Sequence, residues 1–264
     1  MACLGNDITL WILMALMISA LAAGFIDSVA GGGGLILVPS FILAGLPPQL
    51  ALGQEKMVST IGTIAAIYNF IRNKRVVWGA ILTGIPFGLL GSYLGAKAIL
   101  YFNPETIGKI ILLMLPVGIL LSFIPKKNKT DSSTTSPLHV NNMVLWVGIP
   151  LTIFIISFYD GFFGPGTGSF LILALHYLLR FDLVAASATS KLFNFSSNVG
   201  ALIAFLISGN ILFMLAIPLV ICNILGNYIG SNSAMKYGPV MIKRVISLSL
   251  ALLMCSLGYQ FLFR

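Results

Sequence analysis

Five ionisable residues sit within or beside long apolar stretches of this chain: Asp27, Glu55, Lys56, Asp160 and Lys191. A charge in hydrocarbon costs about 2.5–3.5 kcal/mol even on the gentlest scale, so each must pair, reach water or lie near a membrane surface. The two aspartates come with glycine. GFIDSVAGGGG surrounds Asp27 and SFYDGFFGPGTG surrounds Asp160, 133 positions later in a chain of 264 residues. Glycine lets the backbone leave a helix and lets another group approach closely. A helix that starts at such a cluster presents backbone N–H groups and the positive end of its dipole, a combination that favours an anion. Lys56 and Lys191, 135 positions apart, offer matching positive charge. An interrupted apolar segment that recurs in both halves of a chain points to a transporter binding site.

Polar residues extend the set. Lys191, Asn194 and Asn198 are spaced by three and four and share one helical face; Lys56, Ser59 or Thr60, and Thr63 form the corresponding face of the first half. The candidate substrate-binding residues are therefore Asp27, Gly31, Gly32, Gly33, Gly34, Lys56, Asp160, Gly164, Gly166, Gly168, Lys191, Asn194 and Asn198. Plainer readings compete. The aspartates could cap the short helices that follow, or pair with the lysine of their own half, purely for folding. The polar stripes could be an interhelical seam. Gly91 and Gly95, echoed by Gly226 and Gly230, read as small residues for close helix packing rather than as a site. His176 reads as a packed or interfacial residue. No group has the spacing of a catalytic nucleophile, a metal site or a nucleotide-binding loop, so the expectation is no enzyme, no metal and no cofactor.

These residues need a scaffold, and composition says what kind. Hydrophobic residues make up 58% and charged residues 8%, with a mean hydropathy of +1.01. A soluble domain carries about 25% charged residues. This is an integral membrane protein, a single membrane domain over 1–264. The net charge of +8 sits in a few short loops, as orientation signals do, and does not imply nucleic acid. Long apolar segments fall at 8–27, 51–71, 78–100 and 107–125, then at 143–160, 186–208, 211–235 and 242–262. The N-terminus lacks the basic region of a secretory signal, so the first segment reads as a retained helix. Two shorter runs, 35–46 and 169–180, are only about 18 Å long as helices, short of the ~30 Å hydrocarbon layer. They read as half-length or re-entrant helices.

The expected fold is all-α, with two inverted-topology repeats, 1–125 and 143–264. Each holds about four long transmembrane helices and one short broken one; 126–142 is the linker. Arg72, Lys74 and Arg75, then Lys126, Lys127 and Lys129, then Lys236, Lys243 and Arg244 place three loops, the linker included, in the cytoplasm. Both termini and the Ser208–Asn210 loop then lie outside. An odd number of segments per half inverts the second half against the first.

FIDSVAGGGGL, YDGFFGPGTGSF and ATSKLFNFSSNVG resemble the TauE/SafE family of sulfite exporters, also called the 4-toluene sulfonate uptake permease family. The resemblance covers essentially the whole chain, and its motif positions here are Asp27, Gly31 to Gly34, Asp160, Gly161, Gly164, Gly166 and Lys191. It implies a carrier of small sulfur-containing anions (sulfite, sulfonates or sulfoacetate) in the bacterial cytoplasmic, or inner, membrane. The expected function is a secondary transporter working by alternating access. A gradient or the substrate's own potential must drive it, since no ATP-binding motif is present, and Asp27 or Asp160 is the candidate proton relay. The partners are the small anion, the lipid bilayer and a coupled proton, with no nucleic acid; a homo-oligomer is left open. An anion channel, which would show no saturation or counterflow, and a non-transport membrane scaffold are the alternatives.

Overall fold

The computed structural model describes residues 10–110, 144–179, 181 and 183–263, and among the described residues there is no strand. The helices are α1 (Leu10–Ala30), α2 (Gly34–Leu43), α3 (Pro48–Arg72), α4 (Trp78–Leu100), α5 (Ile149–Phe162), α6 (Thr167–Leu179), α7 (Leu183–Ile207) and α8 (Phe213–Phe263). A turn of π-helix, Val144–Gly148, leads into α5. Pro48 opens α3, where its missing N–H costs nothing. Gly238, at φ 61° and ψ −149°, breaks α8 near the gap expected between 235 and 242. Residues 104–110 are helical, at the start of the segment expected over 107–125. The rest of that segment, and the 126–142 linker, lie outside the described residues.

The element boundaries follow the sequence echo. α3 and α7 are both 25 residues long and begin 135 positions apart. α4 and α8 also begin 135 apart. α2 and α6 begin 133 apart, and α6 has 13 residues against 10 in α2. The two-residue drift in the echo therefore arises between the start of α6 and the start of α7.

Among the described residues, four helical stretches are long and apolar enough to cross a membrane: Leu10–Ala30, Trp78–Leu100, Leu183–Ile207 and Phe213–Gly238. α3 is as long as α7, but it carries Gln54, Glu55 and Lys56 among buried hydroxyl groups and is an interior helix. The apolar part of the 143–160 segment is shorter than expected, running Trp146–Phe162. The surface is the reverse of a water-soluble one. Trp11, Leu82, Ile207 and Met214 are 76–86% exposed, whereas Lys56 and Lys191 are 1% and 0% exposed. Apolar outside and charged inside is the arrangement lipid requires.

Packing exchanges one helix between the halves. α1 lies mainly on α8, and α4 lies mainly on α5. α3 also leans on α8, α4 on α7, and α3 meets α7 directly. The result is one group of α1, α2, α3 and α8, and another of α4, α5, α6 and α7, touching along α3 and α7. Glycine makes the exchange close. A Cβ on Gly95 would stand 2.1 Å from the Phe158 carbonyl oxygen, and one on Gly226 would stand 2.1 Å from that of Leu21. These backbones touch directly, so these glycines are packing residues, as the sequence suggested.

Candidate functional site

Each half ends its first helix in the same way. Gly31 after α1 and Gly164 after α5 both have left-handed backbone, φ 75° and 92°, which would cost an L-residue roughly 1–2 kcal/mol. The Gly31 N–H donates to the Asp27 carbonyl, and the Gly164 N–H donates to that of Tyr159. The helix stops, the chain turns, and a short helix starts at Gly34 or Thr167. Tyr159 Oη holds the second loop by donating to the Pro165 carbonyl at 2.8 Å.

The two loops meet at their backbones. A Cβ on Gly31 would lie 2.3 Å from Gly168 Cα, and Ser169 N donates to the Gly31 carbonyl. The last carbonyls of α1 run out of helical partners, although that of Asp27 also accepts from the Gly31 N–H. Residues of the second half serve them: Ser169 Oγ bonds Ala30 O, Ser187 Oγ bonds Val29 O, and Lys191 Nζ bonds Asp27 O.

The aspartates stand in the last turn of α1 and of α5, at the negative end of the helix dipole. A cation from the other half neutralises each. Lys191 Nζ lies 3.1 Å from Asp27 Oδ2, and Lys56 Nζ lies 2.8 Å from Asp160 Oδ1. The pairing is crossed, which corrects the plainer reading in which each aspartate pairs with the lysine of its own half. The capping alternative fails for Asp27, because α2 has no side-chain hydrogen bond at its start. Ser197 Oγ donates to Asp160 Oδ2, and Thr63 Oγ1 lies 3.4 Å from Asp27 Oδ2. Lys56 also donates to Asn198 Oδ1 at 3.1 Å and lies 3.2 Å from Glu55 Oε2.

Between these groups lies a polar cavity. Asp27, Gly31, Gly34, Glu55, Ser59, Asp160, Gly164, Gly166, Thr167, Gly168, Asn194 and Asn198 line it. Its volume is about 10 Å³. That is room for about one water. Nine of the thirteen candidate residues reach this lining. Gly32 and Gly33 are buried in the first loop beside it, with Gly33 against Asp27 Cβ. Lys56 and Lys191 stand behind the carboxylates rather than on the wall. Ser59, not Thr60, continues the lysine stripe of α3, because Thr60 Oγ1 returns to the Lys56 carbonyl. The residues missing from the candidate set are Glu55, Ser59 and Thr167. Glu55 had a signal: it is ionisable and adjoins Lys56. His176 Nδ1 lies 2.6 Å from the Phe181 carbonyl, a packed role.

The family model described as sulfite exporter TauE/SafE matches residues 16–257. A probable membrane transporter protein of Haemophilus influenzae is 34% identical over 241 residues, covering 91% of this chain and 92% of its own. The probable membrane transporter protein ORF9 of a Sinorhizobium species is 36% identical, covering 94% of each chain. The Escherichia coli K12 protein YfcA, also named a probable membrane transporter, is 32% identical over 94% of this chain and 90% of its own. No solved structure matches. A multi-pass helical chain that buries crossed aspartate–lysine pairs beneath two glycine turns, and matches that model over nearly its whole length, belongs to the TauE/SafE sulfite exporter family of membrane transporters.

Proposed function

We propose that the protein is a secondary transporter of a small sulfur-containing anion, of sulfite, sulfonate or sulfoacetate type, in the bacterial cytoplasmic membrane. The observation that carries this reading is the crossed pairing around one cavity. Each half supplies an aspartate and a lysine, and neither pair exists without the other half. Such ties join parts that can move relative to one another, as alternating access requires. The starts of α2 and α6 reach the same cavity through Gly34 and Thr167, and both helix dipoles favour a negative guest there. Asn194 and Asn198 bring amide groups to its wall.

Two expectations change in detail. The lysines act from behind the carboxylates, so they set the potential of the site rather than clasp the anion. The moving bodies are the two packing groups, with α4 and α8 exchanged, rather than the halves as the chain runs. The groups would rock about the α3–α7 contact, with the two halves oppositely oriented and both termini outside. Room for about one water is too little for a sulfonate, so the cavity must widen to admit one.

Purified protein should show a raised melting temperature with sulfite or a sulfonate, because a ligand of the folded state stabilises it. In liposomes the same anion should show saturable uptake and counterflow. A shift with carboxylates alone would overturn the sulfur-anion assignment. Linear flux without counterflow would replace the carrier with a channel.

A further inference from the structure

Three of the chain's seven acidic residues line the cavity: Asp27, Glu55 and Asp160. Both aspartates are spent on lysines of the opposite half. Glu55 is left over. Ser59 Oγ donates to its Oε1 at 2.8 Å. Its Oε2 is buried and accepts no hydrogen bond; its one ion-pair contact is Lys56 Nζ at 3.2 Å, an ammonium that also donates to Asp160 and Asn198. The residue is 4% exposed, and its Oε1 would lie 3.3 Å from a Cβ on Gly34, the first residue of α2. Its counterpart 135 positions on is Ser190, whose hydroxyl donates to the Ser187 carbonyl. The extra carboxylate therefore has no equal in the second half.

The charges around the cavity do not cancel. Three carboxylates against two ammonium groups leave one negative charge, and an entering anion would double it. One proton makes the empty cluster neutral and holds the anion-bound cluster to a single negative charge. We infer that Glu55 carries that proton and couples it to the anion. Protonated, Glu55 is neutral and donates its O–H to the bound anion; ionised, it repels the anion. The inference rests on the anion-transport reading above. The chemistry is a proton transfer alone: hydronium reaching the widened cavity gives its proton to Glu55 and becomes water, and the O–H bond breaks when Glu55 returns the proton to water as hydronium. The titratable groups facing Glu55 are Lys56 on its own helix, Asp160 from α5, and Asp27 from α1 with Lys191 of α7 behind it. α2 and α6 bring only glycine and Thr167 to this wall. The aspartates, considered for a proton relay on sequence grounds, are held by their lysines, which leaves the role to Glu55.

The test uses methanesulfonate, an anion that does not itself titrate, with purified full-length protein. Its affinity is measured by calorimetry between about pH 5 and about pH 8, and proton uptake is read in weak buffer. One coupled proton makes affinity fall by up to about tenfold per pH unit once Glu55 ionises, with a proton taken up on binding. Glu55→Gln, permanently neutral, should flatten that slope, take up no proton, and bind more tightly than wild type at the alkaline end. A purely structural glutamate would not yield that gain. Glu55→Ser, which installs the residue of the second half, should flatten the slope as well. Wild-type binding indifferent to pH, binding without proton uptake, or a variant that keeps the wild-type slope overturns the role of Glu55 and leaves the anion reading standing. If neither methanesulfonate nor sulfite binds wild type at any pH, the anion reading falls and this inference falls with it.

Discussion

An aspartate in the last turn of a helix faces the negative end of the dipole, and in a membrane interior it faces no water either. Asp27 and Asp160 persist there because a lysine reaches each from the opposite half. Their surroundings differ in one respect that can be measured. If Asp160 loses its charge, Lys56 still has Glu55 at 3.2 Å. If Asp27 loses its charge, Lys191 keeps only the Asp27 backbone carbonyl, since among the described residues no second carboxylate lies within ion-pair distance of it. Breaking a buried pair by removing one partner costs on the order of 3–5 kcal/mol. Asp27→Asn should therefore lower the detergent-solubilised melting temperature more than Asp160→Asn. The double variant Asp27→Asn with Lys191→Met should recover part of the loss, because the stranded ammonium is gone. Equal losses for the two asparagine variants would mean that Glu55 gives Lys56 no second partner. For function, Lys191→Ala should abolish counterflow in protein that still elutes as a single folded species; retained flux would identify the lysine as purely structural.

At the scale of elements, the exchanged helices α4 and α8 depend on glycine at the points of contact. Gly95→Ala would place a methyl group 2.1 Å from the Phe158 carbonyl oxygen, and Gly226→Ala would place one 2.1 Å from that of Leu21. Neither backbone can yield without moving its helix. Overpacking of this kind costs about 1–3 kcal/mol. Gly79→Ala is the control: it lies in α4 with nothing within 4 Å. That change should be neutral, or stabilising by up to about 1 kcal/mol through helix propensity. Thermal unfolding of the three variants side by side checks the contrast. The short helices make a sharper case. Gly31→Ala combines a left-handed φ of 75° with a Cβ 2.3 Å from Gly168 Cα, so it should separate the two loops and abolish anion-dependent stabilisation. Intact anion binding in that variant would show that the loop contact does not shape the site.

For the whole molecule, the proposed opposite orientation of the halves makes a prediction about sidedness. Asn73 and Ser208 follow α3 and α7, are both exposed, and stand 135 positions apart. In a background lacking Cys3, Cys222 and Cys255, an impermeant thiol reagent should label Ser208→Cys in intact cells. It should reach Asn73→Cys only after the membrane is opened. Labelling of both from one side would mean that the halves run in parallel and would remove the alternating-access scheme. The transport reading itself would need rebuilding, because helices entering from one side could not rock about a shared centre.

Composition and the internal echo were enough to place this chain in the membrane, to locate its two aspartate–glycine turns and short helices, and to select nine residues that line the cavity. Those features are local: hydropathy depends on the residue alone, and a glycine turn is written in consecutive positions. Which lysine neutralises which aspartate was not readable, because the partners lie 164 and 104 positions apart and either pairing satisfies the same charge count. The exchange of α4 and α8 was hidden for the same reason, since a small-residue stripe announces close packing without naming the neighbour. Glu55 stood in plain view as a charged residue, but its surplus charge is a property of the assembled cluster. Only when both lysines have found aspartates does one carboxylate remain without an equal.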